Sequence, residues 1–166
     1  MDTLWAPWRI DYIQGPKPEG CIFCSCADVE EDERNLVVHR GILCFVMLNR
    51  YPYNNGHLMV VPFTHTPTIE LLGLDTLSEL MALTRLSLAV LREAMHPSGF
   101  NIGINQGEAA GAGVADHVHL HVVPRWVGDT NFMSAVSETR VMPQSLESVY
   151  QVLARGFAFA RPMPDK

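Results

Sequence analysis

Residues 117–121 read His-Val-His-Leu-His, followed by Val122, Val123, Pro124 and Arg125. Strict alternation of imidazole and aliphatic side chains points to a β-strand. Successive strand residues project to opposite faces, so His117, His119 and His121 form one row while Val118, Leu120 and Val122 face a core. On a helix the three rings would splay around the cylinder. The chain must therefore build a sheet with an apolar face on one side and room for three imidazoles on the other.

Such a row supports two kinds of chemistry. Neutral imidazoles are good zinc ligands, and alternate strand positions bring them close together. Alternatively, one imidazole is a nucleophile whose neighbours fix its tautomer and bond the leaving group. A half-exposed strand whose polar face happens to be histidine is the bland alternative. Three rings in strict alternation, ending in Pro-Arg and led in by a Gly/Ala-rich segment, argue against it.

The remaining sequence reads as one domain of residues 21–166 behind an irregular arm, 1–20, that carries Trp5, Trp8 and Tyr12 as packing aromatics. Apolar content of 48% with 18% charged residues is that of a globular chain. A net charge of −6 lacks the basic surface that nucleic acid requires. No apolar run is long enough to cross a membrane and the start lacks a signal-peptide core. A cytoplasmic protein with reduced cysteines is expected.

Residues 35–49 read as two strands turning near Arg40 and Gly41, and 57–62 as a third strand after an Asn-Gly turn. From 75 to 95 the period changes: Leu77, Leu80, Met81, Thr84, Leu88 and Leu91 form an amphipathic helical stripe. Residues 100–105 form a fourth strand and 144–160 a closing helix. Between strand and triad, the small residues of 107–114, among them Gly107, Gly111, Gly113 and Val114, let backbone N–H groups approach an anion. Arg125 is either near phosphate or in a surface ion pair. Cys21 and Cys24 are a C-x-x-C pair: redox pair, half a metal site, or coincidence. Cys44 reads as core.

The run 117–123, together with 49–62 and 101–125, resembles the histidine-triad (HIT) nucleotide hydrolases and transferases. Residues 4–13 and 126–142 resemble a bacterial branch similar to diadenosine polyphosphate phosphorylases and hydrolases. The resemblance implies an α+β fold: an antiparallel sheet of about five strands, a long helix and a C-terminal helix, commonly dimeric. It implies a small-molecule nucleotide substrate cleaved at the α-phosphate, with transfer to phosphate or water. His119 would be the nucleophile, His121 would bond the leaving group or phosphoryl oxygens, and His117 would orient His119. Asn49 would contact ribose, Gln106 phosphate, and His57 would support the active strand. A structural zinc on Cys21, Cys24, His65 and His117 is implied, and no organic cofactor. The chain departs from the best-studied branches at Gly113, Val114 and Ala115, where they carry a glutamine or hydroxyl. Two alternatives are a metal-dependent hydrolase with all three triad histidines on one ion, and a nucleotide-binding sensor without turnover.

Overall fold

In the computed structural model, which describes residues 20–129 and 144–160, two short helices lead into the sheet: α1 (Ile22–Asp28) and α2 (Asp32–Asn35). Then come β1 (Val37–Arg40), β2 (Cys44–Leu48) and β3 (Leu58–Pro62), the long α3 (Leu74–Met95), β4 (Gly99–Ile104), β5 (Leu120–Arg125) and α4 (Leu146–Phe159). The strands form one antiparallel sheet in the order β1-β2-β3-β5-β4. This is the expected α+β architecture. Trp5, Trp8 and Tyr12 lie outside the described residues, as do 130–142 of the bacterial-branch segment.

β2 and β3 are buried along their whole length because both faces of the sheet are covered. On one face Val46, Leu48, Leu58, Val60, Leu120 and Val122 meet Leu80, Leu83 and Leu91 of α3 and Leu153 and Phe157 of α4. On the other, Val37, Phe45, Met47, Met59 and Val61 meet Phe23 of α1. That second face carries the site.

The α3 stripe is rotated from the expected one. Its buried residues are Thr76, Leu80, Leu83, Thr84, Ser87, Val90 and Leu91, while Met81 is 57% exposed. The helix packs on α4 as well as the sheet, which draws Ser87 and Thr84 inward. Their hydroxyls donate to the carbonyls of Leu83 and Leu80, both at 2.7 Å, so no polar group is stranded. Where the two helices meet, a Cβ on Gly156 would lie 2.7 Å from Val90 Cγ1, so a larger residue there would have to displace Val90.

Arg40, at the end of β1, pins α1 and α2 to the sheet. Its guanidinium donates to the carbonyls of Cys26, Ala27 and Val29 and to Asp32 Oδ1 at 2.8–3.1 Å. Neither short helix was legible in the periodicity, since 7 and 4 residues are too few to show one. No described helix is long and apolar enough to cross a membrane.

Candidate active site and metal centre

β5 begins only at Leu120, so just His121 of the triad lies in the ladder. The expected single strand from 117 is corrected here. β3 ends at Pro62, which has no N–H to donate and whose carbonyl is occupied by the His117 ring. The extended chain nevertheless continues, with Val118 N–H donating to the Thr66 carbonyl at 2.7 Å. Alternation survives: Val118, Leu120 and Val122 are buried on the helix side and the three histidines face the other way.

Each triad ring is held in one tautomer by a set of partners that starts at the backbone, whose carbonyls only accept and whose N–H groups only donate. His119 Nδ1 lies 2.9 Å from the His117 carbonyl, so Nδ1 carries the proton and Nε2 keeps its lone pair. His117 Nε2 lies 2.9 Å from the Pro62 carbonyl, so Nε2 is protonated and Nδ1 is free to ligate. Tyr53 N–H donates to His57 Nδ1 at 3.0 Å, so neutral His57 bears its proton on Nε2 and gives it to His121 Nδ1, also at 3.0 Å. His121 is thereby left as an Nε2–H donor. Tyr53 stacks on the His57 ring with centroids 4.9 Å apart.

Burial holds these rings neutral. It pushes His119 and His117 below the ordinary histidine value, against the opposing pull of the carbonyl each one bonds. His121 falls to about 4 and His57 to about 3, through burial and then neighbouring imidazoles. His57 has no room for a second proton, since Nδ1 accepts and Nε2 donates. An unfolded chain therefore takes up a proton near pH 6.5 that folded His57 refuses until about pH 3. Stability from this residue is complete above pH 6.5 and is lost as pH falls towards 3. Between pH 6.5 and 4.5 it should amount to about 2–3 kcal/mol. Urea unfolding at the two pH values, in wild type and His57→Gln, checks this: the variant should lose less stability on acidification, and equal losses would refute it.

His119 and His121, ring centroids 4.7 Å apart, line a pocket of about 380 Å³. Ile22, Phe23, Leu36, Met47 and Met59 form its apolar wall, and Asn49, Gly113 and Val114 also border it. Asn49 is partly engaged by the protein: Oδ1 accepts from Tyr51 N–H at 2.9 Å and Nδ2 lies 3.3 Å from His57 Nδ1. His57 is fully buried behind the pocket and meets it through His121, Tyr53 and Asn49, which line it. Gly107 and Gly111, at φ 83° and 81°, flank a 3-10 turn away from the pocket lining. Gln106 is likewise drawn away, its amide bonded to Ile69 N–H and to the Glu70 carboxylate at 3.0 Å. Arg125 forms the surface ion pair, 2.6 Å from Asp129. Reading 51–56 only as a turn missed Tyr53; its backbone role left no sequence signal.

Behind the triad, Cys21, Cys24, His65 and His117 offer four ligand atoms that all lie within 4.8 Å of one another. Cys21 Sγ is 3.3 Å from His117 Nδ1, and Cys24 Sγ is 3.3 Å from His65 Nδ1. Bonds of about 2.0 Å to nitrogen and about 2.3 Å to sulfur give tetrahedron edges of roughly 3.3–3.8 Å, so this S₂N₂ set suits a four-coordinate ion. Of the triad, only His117 belongs to a potential metal cluster among the described residues. The geometry thus gives no support to three triad histidines on one ion.

A model of the HIT domain matches residues 30–127. The chain belongs to the HIT domain family. It is 39% identical over 166 residues to AP-4-A phosphorylase of Mycobacterium tuberculosis, covering 95% of this chain and 85% of that protein. Among solved structures, this HIT chain is similar to a Zn-bound histidine triad family protein from Mycobacterium smegmatis: TM-score 0.66, 27% identity, 84% of this chain and 94% of that one. A hypothetical histidine triad nucleotide-binding protein from Sulfolobus tokodaii gives TM-score 0.67 at 25% identity, covering 83% and 92%.

Proposed function

We propose that this HIT protein cleaves dinucleoside polyphosphates at the α-phosphate through a nucleotidyl-histidine intermediate. The observation that carries the reading is the His119 ring, whose Nδ1–H is tied to a carbonyl so that its Nε2 lone pair is available at the pocket. The 39% identity to an AP-4-A phosphorylase supports the substrate class. His119 Nε2 attacks the α-phosphorus, and the bond to the bridging oxygen breaks with its electron pair leaving on the nucleoside polyphosphate. The His121 Nε2–H donates a hydrogen bond to the departing or phosphoryl oxygen. Phosphate or water then displaces His119, giving a nucleoside diphosphate or monophosphate. Backbone N–H groups of Gly113 and Val114 are suited to the phosphoryl charge. Asn49 is suited to the ribose and the apolar wall to the base. Neutral imidazole serves here because it both attacks and leaves readily near pH 7.

The four-ligand cluster is read as a zinc site, supported by the Zn-bound relative. Zinc there would lock α1 to the triad strand and so hold the His117 carbonyl against His119. A homodimer fits the sheet edge: β4 ends the sheet and exposes Asn101, Ile102 and Gly103. Sedimentation equilibrium should give twice 18.5 kDa, and a single-chain mass at micromolar concentration would contradict pairing.

Products of diadenosine tetraphosphate decide the reaction. With phosphate present, ADP and ATP are expected; in its absence, AMP and ATP. Symmetric release of two ADP without phosphate would place cleavage elsewhere and refute attack at the α-phosphorus.

A further inference from the structure

We infer that the Arg50 guanidinium stacks on the base of the bound nucleotide and makes the pocket prefer purines over pyrimidines, an inference that rests on the nucleotide reading above. Among the described residues Arg50 is the one lysine or arginine that lines the pocket, and it is exposed. It pairs with no carboxylate among the described residues; its Nη2 donates to the Arg34 carbonyl at 3.0 Å. That bond ties a flat cation without a counter-charge to α2 at the mouth of the pocket.

A cation at a nucleotide pocket has two natural targets, phosphate and base, and position decides between them. Phosphate belongs with His119 and His121, at the β5 end. His121 pairs with Met59, Met59 with Met47, and Met47 with Val37, so one row crosses the site face from β5 to β1. Three strand spacings make roughly 14 Å. Arg34 sits in α2, the helix that leads into β1, so the carbonyl holding Arg50 lies at the end far from the two imidazoles. Between the ends stands Asn49, next to Arg50 in sequence and 3.3 Å from His57, which in turn bonds His121. Phosphate at His119, ribose at Asn49 and base at Arg50 then follow one another along the pocket. The base meets the buried Leu36 and Met47 of the apolar wall on one side and the exposed Arg50 on the other.

A guanidinium suits that place better than an ammonium. It is planar, delocalised and weakly hydrated, so its face packs on an aromatic base while its edge keeps the bond to the carbonyl. The carbonyl also limits the freedom of the side chain before binding, which reduces the ordering cost. Stacking needs a π-face and reads no hydrogen-bond pattern, so adenine and guanine serve alike. The two fused rings of a purine cover the guanidinium and the apolar wall more fully than the single ring of a pyrimidine, and that difference gives the preference.

The test is calorimetric binding of adenosine, AMP and CMP to the full chain as wild type, Arg50→Ala and Arg50→Lys. Wild type should bind AMP more tightly than CMP. Arg50→Ala should weaken adenosine and AMP by the same factor, roughly five- to tenfold, and CMP by only about twofold, so the AMP preference shrinks. Arg50→Lys keeps the charge and loses the plane, and should bind AMP as weakly as the alanine variant. A loss that spares adenosine and is restored by Arg50→Lys would place the cation on phosphate and overturn the inference. Equal losses of AMP and CMP would reduce Arg50 to a support for α2 and overturn it as well, as would affinities unchanged across the three proteins. Failure of wild type to bind either adenosine or AMP would overturn the nucleotide reading, and this inference with it.

Discussion

Replacing His119 with alanine should lower turnover of diadenosine tetraphosphate by on the order of 10⁴ or more, with AMP affinity changed by only about threefold. Losses of this size are characteristic of removing a nucleophile, because the remaining groups bind but cannot form the intermediate. Alanine also strips a bond from the His117 carbonyl and removes the ring that packs on Phe23, centroid to centroid 4.8 Å. His119→Asn separates the two effects. Its Nδ2 falls near the position of the histidine Nδ1 and can still donate to that carbonyl, but nothing replaces Nε2. The asparagine variant should therefore melt close to wild type and be as inactive as alanine. Recovery of a tenth or more of wild-type turnover in His119→Asn would show that the imidazole serves only as a support.

Removing Cys21 and Cys24 together, as the double alanine variant, should abolish zinc binding and lower the melting temperature by roughly 10 °C. Wild type is expected to carry one zinc per chain by elemental analysis. The cysteines lie at the start of α1, whereas His65 follows β3 and His117 precedes β5. One ion bound there would join three segments far apart in sequence. Activity should fall about tenfold or more, because the His117 ring that the ion would hold shares its residue with the carbonyl that orients His119. A zinc-free wild type that melts unchanged with a strong chelator would refute the site.

Much of this was legible because it depends on short-range pattern. Alternation identified the row of histidines, and the Asn-Gly pair identified the turn before β3, where Gly56 has φ 73°. Periodicity located α3 to within a residue at its start, Leu74 against the expected 75. Its inward face was read only in part: Leu80, Thr84 and Leu91 are buried as expected, but a stripe written mainly from leucines cannot foresee that α4 also packs there and that Ser87 and Val90 turn inward. The Cys/His cluster was reached through resemblance; the spacing of Cys21 and Cys24 by itself allowed a redox pair, half a metal site or coincidence. Gln106 shows the opposite failure. An amide beside a Gly-rich loop suits phosphate, but the turn at Ile69–Leu71 offers it a backbone N–H and a carboxylate nearer to hand. The tautomer relay from Tyr53 through His57 to His121 had no signature, since it begins at a backbone N–H that every residue but proline carries.

The most direct measurement is the intact mass of the protein mixed briefly with diadenosine tetraphosphate and quenched, wild type beside His119→Asn. Wild type should gain one adenylyl group, lost again on adding phosphate as ADP appears, while the variant stays at its own mass. An adduct of equal yield on both proteins, or steady product from the variant, would contradict His119 as the nucleophile.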